Sequence, residues 1–120
     1  TFTSWINEID TALAGLDIVA LCSQNEGTPV SLIEAQAASV PIVTTNAGGV
    51  ENVVIRDKTA LISDTQDTKK FSENLLMLIE DDTMRTEFSS NGWKNVQDRF
   101  HYTRLVNDMR ILYKTLLKKD

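Results

Sequence analysis

Two short apolar runs with a helix-forming stretch between them restrict what this 120-residue chain can become. The first, Leu16-Asp17-Ile18-Val19-Ala20-Leu21-Cys22, is too short and too β-branched for a helix. It reads as a strand buried on both faces, as in a parallel sheet. The second, Val40-Pro41-Ile42-Val43-Thr44-Thr45, reads as the next strand, with Pro41 near its start where ladder bonds are least needed. Between them, Thr28 is expected to cap a helix that has Pro29 at its first position and runs to Ser39.

The flanking segments extend this alternation. Ser4 is expected to cap a helix through Ala14, with Ile6, Ile9 and Leu13 at helical spacing and Gly15 ending it. After the second strand, Asn46-Ala47-Gly48-Gly49 is a tight loop into a short helix over Val50 to Ile55, and Ala60 to Ser63 is a further strand. From Asp67 onward the pattern is helical. Phe71, Leu75, Leu78 and Ile79 mark one helix face, and Met84, Phe88, Val96 and Phe100 mark a second, with a bend expected near Asn91-Gly92. Leu105, Met109, Leu112 and Leu116 form a stripe on a third helix ending near Lys118. The order predicts an α/β fold with a parallel sheet flanked by helices and a helical C-terminal tail, as a single domain over 1–120.

Charge and composition exclude several classes. The chain is 42% apolar and 24% charged, an ordinary balance for a globular domain. Its net charge of -5 provides no basic field for nucleic acid. Lys114, Lys118 and Lys119 are accounted for by the end of a helix, where positive charge is favourable. The lone Cys22 cannot form an internal disulfide, and with His101 it falls short of a zinc ligand set. It is expected to be a buried small hydrophobe in a reducing compartment. No apolar run is long enough for a transmembrane helix, and no signal peptide is visible. Thr1-Phe2-Thr3 has strand-like composition with no lead-in, so the sequence is expected to be an excised piece starting inside or just after a strand.

The residues that point to chemistry are Glu26 and Glu34, either side of the loop-to-helix junction. In open parallel sheets, ligands bind where the C-terminal ends of strands meet helix N-termini. The helix start offers backbone N–H groups near Val30 and Ser31 and the positive end of its dipole, which suit a diphosphate. Gly27 permits close backbone approach. A carboxylate repels phosphate but accepts strong hydrogen bonds from hydroxyls. Glu34 lies about 9 Å along the axis from the helix start, while Glu26 precedes it. A ligand with hydroxyls at both ends and phosphates between them fits this layout, and a nucleotide sugar has it. Taken singly, Glu34 is better accounted for as a solvated helix residue and Glu26 as a loop carboxylate with no role.

The stretch from Asp17 to Thr45 resembles the donor-binding segment of GT-B glycosyltransferases, closest to the group 1 family (family 4) of retaining enzymes. Gly48-Gly49-Val50-Glu51 is similar to that family's loop after the next strand, and Phe100 followed by Leu105, Leu112 and Tyr113 is similar to its tail. The resemblance implies a Rossmann-like sheet forming part of the C-terminal GT-B domain, with the N-terminal acceptor domain outside this sequence. It implies that Glu34 binds the ribose hydroxyls of the donor. Glu26 is implied to face the transferred sugar beside the reaction centre, as the catalytic position. Gly27 and Thr28 match backbone contacts to that sugar, and Val30 and Ser31 match the amides over the diphosphate. The implied reaction is sugar transfer from a nucleotide diphosphate sugar with retention, the leaving diphosphate assisting attack on its own face, with no bound metal and no cofactor. A sugar, glycolipid or polysaccharide acceptor is implied, and with it a cytoplasmic setting at the inner face of a membrane, reached through parts outside this sequence.

One departure from the family's pattern is plain. Such enzymes place a basic pair, usually Arg and Lys, on an earlier part of the same domain to neutralise the diphosphate, whereas residues 1 to 25 contain no Lys or Arg. Loss of that stabilisation removes most catalysis, so the segment is expected to be inactive alone. A nucleotide-sugar epimerase of the same architecture and a non-catalytic binding or interaction module stay open as alternatives. Of the other distinctive residues, His101 reads as a cap-region side chain and Trp5 and Trp93 as packing residues. Gly48 and Gly49 are accounted for either by the turn or by a ligand contact.

Overall fold

A computed structural model describes residues 3–117. In chain order its elements are α1 (Ile9–Ala14), β1 (Val19–Leu21), α2 (Val30–Ala37), β2 (Ile42–Thr45), α3 (Val50–Val53), β3 (Ala60–Ser63), α4 (Thr68–Glu80), α5 (Asp82–Arg99) and α6 (Tyr102–Leu117). The three strands form one parallel sheet in the order β1-β2-β3, with Val19 beside Ile42 and Ile42 beside Ala60. The α/β expectation therefore holds.

β2 is central, and all four of its side chains are buried. Alternation along the strands divides the core between the two faces. Ile42, Ala60 and Ile62 pack with Leu13, Leu32, Ala35, Val50 and Val53 from α1, α2 and α3. Val43 and Leu61 pack with Leu78 of α4 and Phe88 of α5. Each fully buried Leu or Val contributes about 1.5 to 3 kcal/mol relative to exposure. α5 begins on the second face with Met84 and Phe88 and ends against α2, where Asn95 is buried.

Several boundaries differ from expectation. α1 begins at Ile9 rather than after Ser4; Ser4 has a left-handed φ of 58° and the helix has no side-chain cap. Ile6 is exposed, and only Leu13 of the helix is buried, so no packing extends the helix toward Ser4. On α2 the cap is Pro29, not Thr28, and no side chain caps the helix. Pro29 has ψ 88°, outside the helical range, so the helix starts one residue later than expected. It ends at Ala37, closed by Ser39 N–H to Gln36 O (3.0 Å) and Val40 N–H to Ala35 O (2.9 Å). That pair of bonds is a Schellman motif with Ser39 at the left-handed position, φ 59°.

β1 is not buried on both faces. Ala20 is exposed and its neighbours are half-buried, because among the described residues β1 pairs only with β2. Cys22, just beyond it, is exposed rather than buried. α5 shows no break at Asn91-Gly92. Gly92 instead faces α2, where an added β-carbon would lie 3.2 Å from Cγ of Gln36. Trp5 and Trp93 are exposed by 90% and 49%, so neither serves as core packing here.

α6 carries the expected stripe, yet none of its residues is buried, and Leu105, Met109, Leu112 and Leu116 all face solvent. His101 precedes it as a cap-region residue, its Nδ1 2.7 Å from Thr103 Oγ1. Lys114 lies in the last turn, whereas Lys118, Lys119 and the start of the Thr1-Phe2-Thr3 run lie outside the described residues. Among the described residues no helix is long and apolar enough to cross a membrane.

Candidate functional site

The two loops that leave the C-terminal ends of β1 and β2 are tied together at their bases. Thr45, the last residue of β2, donates its hydroxyl to the carbonyl of Ser23 at 2.5 Å. Asn46 N–H bonds to Ser63 O at 2.7 Å, which holds the β2 loop to β3 as well. Above this base the chain passes through Glu26 and Gly27 into Thr28 and the buried Pro29, where α2 begins.

Gly48 and Gly49 close on that passage. Gly49 N–H donates to Gly27 O at 3.1 Å and lies 3.4 Å from Glu26 O. A β-carbon at Gly48 would sit 1.8 Å from Glu26 O, and one at Gly49 would sit 2.1 Å from Gly27 O. Gly48 also has φ 53°. Only a pair without side chains allows this approach. The left-handed φ of Gly48 bears out the turn, and beyond it these glycines clasp the Glu26-Gly27 backbone. Sequence reasoning missed this because the partners lie more than twenty positions apart; the adjacent glycines were the only local signal.

The structure brings Glu26, Gly27, Thr28, Val30 and Ser31 together along one loop and helix start at this edge. Glu26 is half-buried, while Gly27, Thr28, Val30 and Ser31 are exposed. Leu32 N–H is taken by Pro29 O at 3.0 Å, which leaves the preceding amides of Val30 and Ser31 before the helix's own bonding begins. Glu34 sits one turn further on. It shares a face with Val30 at i, i+4 spacing and with Ser31 at i, i+3. It is half-buried and borders a groove of about 380 Å³ between α1 and α2, with Ile9 and Leu13 supplying apolar wall. That groove was not foreseen. Neither Glu26 nor Glu34 forms an ion pair among the described residues. Two acceptor-only side chains thus flank a helix start without being spent on the fold.

Comparison with known proteins bears on this arrangement. The profile of the family described as "Glycosyl transferases group 1" matches residues 1–95. The chain belongs to that family. Among curated relatives, the capsular polysaccharide biosynthesis glycosyltransferase CapM of Staphylococcus aureus is 31% identical over 105 residues. That match covers 88% of this chain and 28% of CapM, so the chain spans little more than a quarter of that relative's length. The solved C-terminal domain of the group 1 protein LpcC from Francisella tularensis superposes with a TM-score of 0.73 at 27% identity, covering 83% of this chain and 51% of that one. HepE of Anabaena, solved in complex with UDP, shares the fold with a TM-score of 0.86 at 20% identity, over 92% of this chain and 30% of that one. The sheet and flanking helices of this group 1 segment are those of a GT-B glycosyltransferase domain.

Proposed function

We propose that this segment is the donor-binding part of a retaining glycosyltransferase that moves a sugar from a nucleotide diphosphate sugar to a glycan or glycolipid acceptor. The observation that carries the reading is the clasp of Gly48-Gly49 on Glu26-Gly27 beside the start of α2. It fixes a carboxylate and a helix N-terminus at the sheet edge where ligands of such folds bind. In this reading the amides of Val30 and Ser31 receive the diphosphate, helped by the helix dipole. Glu34 accepts from the ribose hydroxyls, and Glu26 accepts from the transferred sugar at the reacting carbon's side. Gly27 and Thr28 give backbone contacts to that sugar. The diphosphate leaves and its oxygen assists the acceptor's attack on the same face.

Residues 1 to 25 hold no Lys or Arg, so the reading requires the diphosphate's cations to come from another part of the protein. CapM's role in capsular polysaccharide synthesis supports a polysaccharide precursor as acceptor. A cytoplasmic setting, at the inner face of a membrane, belongs to the same proposal and rests on that acceptor class. HepE's complex makes UDP the first nucleotide to try.

The test is sugar transfer by the full-length protein carrying this sequence, with Glu26→Ala and Glu34→Ala. Transfer should fall in both variants, and product analysis should show a new glycosidic bond to the acceptor. Unimpaired transfer in both variants would sink the assignment.

A further inference from the structure

We propose that Gln36 and Asn95 are positioning residues that set the helix bearing Glu34 against the loop that clasps Glu26; this rests on the donor-site reading above. Both side chains are amides buried between α2 and α5, with exposures of 1% and 5%. Burying such groups is costly unless every polar atom is paired.

Here each one is paired. Gln36 Nε2 donates to Leu32 O (3.0 Å) and to Val53 O (3.0 Å). Asn95 Nδ2 donates to Gln36 Oε1 (2.8 Å) and to Val53 O (3.0 Å). Arg99 closes the set, donating to Asn95 Oδ1 (3.2 Å) and to Asn52 O (2.8 Å). The pattern also fixes the orientation of both amides: reversing either would turn its oxygen onto the carbonyl of Val53.

The elements so joined are the ones that carry the site. Gln36 stands two residues beyond Glu34 on α2. Val53 ends α3, a helix of four residues that begins immediately after Gly48-Gly49. A helix so short does not hold its own direction, so bonds at its end decide where its start lies. Asn95 and Arg99 grip α3 and α2 at their C-terminal ends rather than at the helix starts. Gly92, one turn before Asn95, lets α5 come close enough to do so. An apolar pair of similar size would fill the same space, but would leave Val53 O and Arg99 Nη1 without these partners. What the amide pair adds is direction, because hydrogen bonds admit one slide and one rotation of α2 relative to α3.

The decisive experiment uses the full-length protein with Gln36→Met combined with Asn95→Leu. The double variant should stay folded, with its KM for the donor raised by about tenfold, a larger change than in kcat. In parallel, hydrogen exchange at the Gly49 amide should speed up by about tenfold while the amides of β2 keep their protection. The exchange result does not depend on donor binding, so it judges this proposal even if Glu26→Ala and Glu34→Ala overturn the donor-site reading. A folded double variant with unchanged exchange at Gly49 overturns it, as does an unchanged KM in an active enzyme. Should the double variant fail to fold, Arg99→Met at the rim decides instead. Its KM and Gly49 exchange should each rise about threefold, and no change in either would overturn the proposal.

Discussion

The backbone amide of Gly49 donates to the carbonyl of Gly27 at 3.1 Å, and a β-carbon at Gly49 would come within 2.1 Å of that same oxygen. The loops after β1 and β2 are therefore in backbone contact at the point where Glu26 enters the site. Gly49→Ala forces that contact apart, and Gly48→Ala adds left-handed strain to a β-carbon 1.8 Å from Glu26 O. Each variant should lose about 2 kcal/mol or more in urea unfolding. Stability within about 0.5 kcal/mol of the parent would show that the loops part freely.

The two glutamates should fail differently. Glu34→Gln keeps the shape of the side chain but removes the charge that would strengthen the proposed bonds to the ribose hydroxyls, a loss of about 1 to 1.5 kcal/mol for each bond. Nucleoside diphosphate binding by the full-length protein should weaken tenfold or more, measurable by calorimetry. Glu26→Gln should leave nucleoside diphosphate affinity nearly unchanged and lower kcat for transfer, since the proposed function assigns Glu26 to the sugar rather than to the ribose. Equal losses of nucleotide affinity in both variants would contradict the division of roles.

Ser39 closes α2 in the left-handed region, with φ 59°. Glycine adopts that conformation without the β-carbon clash, though it is freer in the unfolded chain. Ser39→Gly should raise stability by about 0.5 kcal/mol, seen as a higher urea midpoint at unchanged slope. The hydroxyl makes no bond in the motif, which is carried by the backbone of Ser39 and Val40, so its loss has no cost to set against the gain.

How much of this was legible in the sequence depended on whether the deciding neighbours were close in the chain. Ala60 to Ser63 and Ile42 to Thr45 were readable because strands buried on both faces show as continuous apolar or β-branched runs. Asp67 caps α4 through Lys70 N–H at 2.8 Å, where the helical signal was expected to begin. Cys22, Trp5 and Trp93 were misjudged because their exposure is set by what lies beside a sheet edge or helix face, which composition does not encode. Thr28 was preferred as a cap on residue type, whereas the backbone angle at Pro29 moved the helix start. Glu26 and Glu34 stood out in the sequence through their chemistry, their spacing and the resemblance of the stretch around them. The clasp on Glu26 and the buried Gln36–Asn95 bond did not, since each joins residues far apart in sequence and lacks any local pattern.

The last helix gives a prediction that separates pattern from packing. Leu105, Met109, Leu112 and Leu116 repeat at helical spacing, which ordinarily marks a buried face, yet α6 buries none of its residues. Phe100, just before it, does pack against the core. A helix of this length that buries no residue is marginal in water, so α6 should contribute little to the stability of the 120-residue chain. Ending the chain after Phe100 should therefore change its unfolding free energy by less than about 0.5 kcal/mol. In the intact segment, amides of α6 should exchange far faster than those of α5, whose Phe88, Gly92 and Asn95 are buried. A loss of several kcal/mol on truncation, or matched exchange in the two helices, would mean that the apolar stripe of α6 is covered in solution.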